Sequence, residues 1–162
     1  MKRSKYLVPL SWEHHNALLN ANRLQKGIAN RTETRILLEF ANFIWQNDLF
    51  PHFQREENII MTRQEWPHVP EHLRTRVLQE HQTMDDLVKR LNNLSDEDEI
   101  RRLLNELASM VISHVRFEER ELFPAIEEAF FEQSLQKIEQ ALREAHVPGC
   151  TTWSPKFWEK KE

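Results

Sequence analysis

Apolar residues recur along most of this chain at intervals of three and four, the spacing of one helix face, and no stretch alternates as a half-buried strand would. The first periodic stretch opens at Ser11, a good N-cap, and runs to about Lys26. Leu10, Ala17, Leu18, Ala21, Leu24 and Ile28 form its stripe, and Gly27 marks its end. A second helix, from about residue 33 to residue 63, turns Leu37, Phe40, Ala41, Ile44, His52, Glu56 and Ile59 inward. Pro51 interrupts it, and the kink should help to aim His52.

After a loop at residues 65–70, Pro70 starts a third helix to about residue 93, with Val77, His81, Met84, Val88 and Leu91 on its inner face. Ser95 and the acidic residues behind it cap a fourth helix. That helix carries Leu103, Leu107, Met110, Val111, His114, Phe117 and Glu118 inward and is kinked or ended near Pro124. A last amphipathic stretch, about 131–146, places Leu135, Ile138, Ala141 and Leu142 on one face. The tail 147–162 is irregular but carries Trp153, Phe157 and Trp158, which predicts docking. The expected fold is all-α: an up-down-up-down four-helix bundle over about 11–131, an additional C-terminal helix and a docked aromatic tail, all in one domain.

Composition supports this and narrows the function. The chain has 162 residues, two glycines, 40% apolar and 30% charged residues, which suits a single helical core. The net charge is −4 and basic residues are interleaved with acidic ones, so nothing resembles a basic stripe for nucleic acid. No segment approaches the roughly 20 apolar residues of a membrane span, and the apolar run behind the basic N-terminus is too short for a signal peptide. The single cysteine, Cys150, rules out an intrachain disulfide and suits a reducing compartment. A cytoplasmic protein with neither nucleic-acid nor membrane partners is expected; no protein partner is identified.

The candidate chemistry lies on the apolar faces. His52-Phe-Gln-Arg-Glu56-Glu57 and His114-Val-Arg-Phe-Glu118-Glu119 share the pattern His-x-x-x-Glu-Glu, and each is preceded by an earlier helix with a histidine, Glu13-His14-His15 and Glu80-His81. Residues four apart stack on one helix face, so each His and Glu can converge. The helical wheel puts His14 on the apolar stripe and turns His15 away. Counted from the turns, His14, His52, His81 and His114 reach one level of the bundle to within about a helical turn.

A lone inward histidine is ordinarily just a packed polar residue, but inward carboxylates need a cation, and no Lys or Arg falls on these stripes. Six candidate ligands, His14, His52, Glu56, His81, His114 and Glu118, exceed what one metal needs. If Glu56 and Glu118 both bridge, each of two metals receives two imidazoles and two carboxylate oxygens; an oxo or hydroxo bridge leaves one position open. This set suits two iron ions, with manganese or zinc as alternatives. Without metal, the carboxylates should take up protons.

These motifs, with Leu10-Ser-Trp-Glu-His14 and Leu122-Phe-Pro124, resemble the hemerythrin-like, HHE cation-binding family over about residues 8–145. The resemblance implies a non-haem di-iron protein that binds or senses oxygen, nitric oxide or peroxide. An iron-sensing or storage module without catalysis is the alternative, and a metal-binding or sensing role is favoured over an enzyme. Oxygen-carrying members have a His four residues after the helix 3 His, where this chain has Asp85, and an Asp five after the helix 4 His, where it has Glu119. Asp85 could therefore be an extra ligand, Glu119 could replace Glu118, and Glu121 could contribute from behind. A metal-free helical interaction domain is a third class, disfavoured by the inward carboxylates.

Overall fold

The computed structural model describes residues 4–149 and 152–160; Cys150 lies outside them. All regular structure among the described residues is helical. Seven α-helices follow in order: α1 (Val8–Ala29), α2 (Thr34–Ile44), α3 (Phe50–Arg55), α4 (Glu71–Leu91), α5 (Glu97–Phe117), α6 (Phe123–Ala129) and α7 (Glu132–Ala145). No helix among the described residues is long and apolar enough to cross a membrane.

Helix α1 begins three residues before Ser11, at Val8, because Pro9 in its first turn supplies a preset φ and no surplus donor. Ser11 is therefore inside the helix and buried rather than its N-cap. Its far end closes past Gly27, at Arg31, whose φ of 57° lets Thr32 N–H reach Gly27 O and Arg31 N–H reach Ile28 O. Gly27 itself answers a packing need, since a Cβ there would overlap Phe157 and Leu37. At α5 the N-cap is Asp96, not Ser95: its carboxylate accepts from Glu99 N–H at 2.8 Å.

Pro51 and Pro124 do not end their helices. Each lies just after a widened π turn, Trp45–Leu49 and Glu118–Leu122, in which Phe50 N–H bonds Trp45 O and Phe123 N–H bonds Glu118 O. A proline cannot donate and its ring crowds the carbonyl four residues back, so a wider turn ahead of it relieves both problems. A third π turn, Glu56–Ile60, closes the α2–α3 segment through Met61 N–H to Glu56 O at 3.0 Å. The extra residue it accommodates rotates the face: Ile60 is buried, and Ile59, the expected core residue, is only half-buried. Leu18 likewise leaves the expected stripe and is exposed.

Helix α1 packs on α5 and α2, α4 on α5, and α7 on α1. Two apolar clusters result. One gathers Ala17, Ala21 and Leu24 with Leu37 to Phe53, Met84 to Leu91 and Ile100 to Val115. The other gathers Leu7 and Leu10 with Ile60, Leu73, Val77, Phe117 to Phe130 and the inner face of α7. Each of the four long helical segments passes from one cluster to the other, and α1, α2–α3, α4 and α5–α6 do so in alternating order. The tail adds Phe157 to the first cluster, 4.9 Å from the Phe40 ring, while Arg23 lies 4.2 Å over Trp158.

Candidate metal centre

Between the two apolar clusters lies a polar layer. It holds His14 from α1, His52 from α3, His81 from α4, His114 from α5, and Glu56 and Glu118, each the first residue of a π turn; all six are buried. Their inward atoms form two groups, His14, His52, Glu56 and Glu118, and Glu56, His81, His114 and Glu118, with the atoms of each group within 4.8 Å of one another. The structure thus brings the six expected residues together. His15 is exposed, Asp85 pairs instead with Lys89 at 2.5 Å, and Glu121 stands outside, 3.7 Å from Arg76.

The two shared carboxylates each face both groups. Glu56 Oε1 lies 3.2 Å from His52 Nε2, and its Oε2 lies 3.1 Å from His81 Nε2. Glu118 Oε2 lies 2.8 Å from His14 Nε2, and its Oε1 lies 3.0 Å from His114 Nε2. Several of these atoms are close without being hydrogen-bonded: both oxygens of Glu56, Oε1 of Glu118, and Nε2 of His81 and of His114 have no partner with acceptable geometry. Buried polar atoms are ordinarily satisfied, and five that converge instead on shared points fit a cation.

Each imidazole is turned so that Nε2 faces inward and Nδ1 outward, and each Nδ1 meets a further carboxylate. His14 Nδ1 lies 2.6 Å from Glu119, His52 Nδ1 2.7 Å from Glu13, His81 Nδ1 2.8 Å from Glu57 and His114 Nδ1 2.6 Å from Glu80. An Nδ1–H donated outward leaves the Nε2 lone pair pointing in, the arrangement that orients a metal-ligating histidine. Sequence reading missed Glu13 and Glu80 in this role and considered Glu119 only as a ligand. The signal was present: each is the immediate neighbour of an inward residue, rotated about 100° toward the adjoining helix.

The charges balance differently from expectation. Burial disfavours an imidazolium at every one of these histidines, but the facing carboxylates outweigh it. Glu118 and Glu56 push His81 up to about 10. Glu118, with Glu80 and Glu56, pushes His114 up to about 9. His14 and His52 are raised in the same way. Burial would raise the Glu118 carboxyl, yet His114, His14 and His52 hold it well below the usual range. In the metal-free layer, then, protons belong on the imidazoles, not on Glu118 as the sequence suggested, and a cation binding there must displace them.

No curated protein and no solved structure matches the chain. A family model, that of the hemerythrin HHE cation binding domain, matches residues 10–126 and 72–147, which take in the whole polar layer. By that match, which covers well over half of its length, the chain belongs to the hemerythrin HHE cation-binding domain family.

Proposed function

We propose that this chain holds two iron ions with His14, His52, His81 and His114 as terminal ligands and Glu56 and Glu118 as bridges, and that the centre binds or senses a small ligand such as oxygen, nitric oxide or peroxide. One observation carries the reading: the two oxygens of each shared carboxylate face histidines of different groups. A carboxylate serving one ion would not need to divide in this way. Mixed imidazole and carboxylate ligation with a free position favours iron, with manganese or zinc as substitutes. Bound iron would supply a redox couple and an open coordination position.

The rest is the work of the chain's own residues. Glu13, Glu57, Glu80 and Glu119 hold the imidazoles in one tautomer, and the apolar clusters close the layer above and below. We read the four helical segments as an up-down-up-down bundle within a single domain, which the alternating order of the two clusters supports. An iron-holding or iron-sensing module is the second reading. It is favoured by the orphaned atoms of Glu56, His81, His114 and Glu118, which tie the comfort of the fold to metal supply.

Anaerobic loading with Fe(II), metal analysis and an optical spectrum before and after oxygen test the proposal. Two ions per chain and a spectrum that changes reversibly on reduction and re-exposure are expected. One ion with all six residues engaged would overturn the two-metal reading. Two ions with a spectrum indifferent to oxygen, nitric oxide and peroxide would leave the second reading.

A further inference from the structure

The two groups have the same ligand chemistry but unequal surroundings. Around His14 and His52, the outer carboxylates are held from several sides. Glu13 also accepts from Arg55 at 2.9 Å and faces His146 at 3.5 Å, and Glu119 also accepts from Ser11 Oγ at 2.7 Å. These two carboxylates are 11% and 19% exposed. Around His81 the support is thinner, while at His114 Glu80 is held as well, accepting from Arg76 at 2.7 Å and only 22% exposed. Glu57 is 35% exposed, and His81 is its one hydrogen-bond partner among the described residues.

Access is unequal too. A cleft of about 270 Å³ reaches His81 from the surface, lined by Trp45, Phe53, Glu57, Leu78, His81 and Asp85 among others. Phe53, in its lining, is stacked on His81 at 4.0 Å and edge-on to His114 at 5.3 Å. On the other side, the hollow at Glu13 has room of about 10 Å³, lined in part by Val147 and Gly149, which is space for about one water.

A metal leaves when a ligand swings away, and an imidazole held outward by a single solvated hydrogen bond swings more readily than one held by a buried network. His81 has the weaker hold and also the open space beside it. From these two observations we infer that the two metal positions are unequal: the His81–His114 position fills second, empties first, and is the one a small ligand reaches from solvent. Glu57 acts as the positioning residue that sets its hold. The inference rests on the two-metal reading above.

Two measurements test it. The wild-type chain, titrated with Zn(II) and followed by NMR of the imidazole protons, should show His14 and His52 shifting with the first equivalent, and His81 and His114 with the second. The Fe(II)-loaded chain, mixed anaerobically with excess chelator, should release metal in two phases of equal amplitude. Glu57→Gln should speed the fast phase by about 10-fold and leave the slow one, while Glu13→Gln should act on the slow one. The zinc titration needs no variant, so a poorly folding mutant does not decide the matter. Simultaneous or reversed filling, or release in a single phase, overturns the inequality. Uptake of one ion or none overturns the two-metal reading and this inference with it.

Discussion

Glu13 adjoins His14 in the chain, yet its carboxylate is bonded to Nδ1 of His52, 2.7 Å away on another helix. The same displacement occurs three more times. Glu57, beside Glu56, holds His81; Glu80, beside His81, holds His114; and Glu119, beside Glu118, holds His14. Each helical segment lends a carboxylate to the histidine of the next, and the fourth returns to the first. The ring links the four segments through groups that also orient the inward nitrogens, so the support of the centre and the assembly of the bundle share the same bonds.

This ring separates two kinds of glutamate. Glu56→Gln and Glu118→Gln remove the charge and one oxygen of a carboxylate that faces both groups and should abolish uptake of the metal pair. Glu80→Gln and Glu119→Gln should retain two ions with affinity weaker by about 10- to 100-fold. Competitive titration against a chelator distinguishes the classes. Retention of the pair in Glu118→Gln together with its loss in Glu119→Gln would reverse the assignment on α5.

The two adjacent histidines of α1 should behave oppositely. His14 is buried in the layer with Nε2 2.8 Å from Glu118, whereas His15 is exposed. His14→Ala should lower bound metal, and His15→Ala should leave stoichiometry unchanged, as read by metal analysis of the folded proteins.

Metal-free protein should lose stability in alkali. His81 is raised from 6.5 to about 10 and His114 to about 9, so their contribution is fully present below about pH 6.5 and is lost as pH rises through 9 and 10. The depressed Glu118 carboxyl contributes above its ordinary value of 4.5, and that contribution fades as pH falls through its lowered folded value. Metal-bound imidazoles carry no such proton. Melting midpoints at about pH 6, 8 and 10 should fall in the metal-free chain and change less in the loaded one.

The π turn at residues 56–60 makes a packing prediction. Ile60 is 1% exposed and Ile59 is half-buried. Ile60→Ala should destabilise by about 2–5 kcal/mol and Ile59→Ala by less, measured by denaturant unfolding with metal present. Equal effects would mean that the turn does not shift the helix face.

Gly27→Ala tests packing against propensity. Within a helix, alanine is favoured over glycine by about 1 kcal/mol. Here a Cβ would overlap the Phe157 and Leu37 side chains, so the substitution should destabilise by about 1–3 kcal/mol and loosen the docked tail. Increased fluorescence quenching of Trp153 and Trp158 by a soluble quencher would report the loosening.

What the sequence determined by itself is whatever depends on period and spacing. Stripes at intervals of three and four give the helices, and His-x-x-x-Glu places His52 under Glu56 and His114 under Glu118 because one helical turn separates them. The wheel alone separates inward His14 from outward His15. What only the tertiary structure decided is whatever depends on a neighbouring helix or on a local change of pitch. That Glu13 serves His52 rather than His14 follows from the packing of α1 beside the α2–α3 segment, which no spacing within α1 encodes. The exchange of Ile59 for Ile60 in the core, and the passage of helix through Pro51 and Pro124, follow from π turns whose single extra residue shifts phase without leaving any mark in an apolar pattern read at 3.6 residues per turn. The location of the protons was out of reach for the same reason: besides His114, which the spacing already places beneath it, Glu118 is held charged by His14 and His52 from two other helical segments, and their approach is a product of the fold.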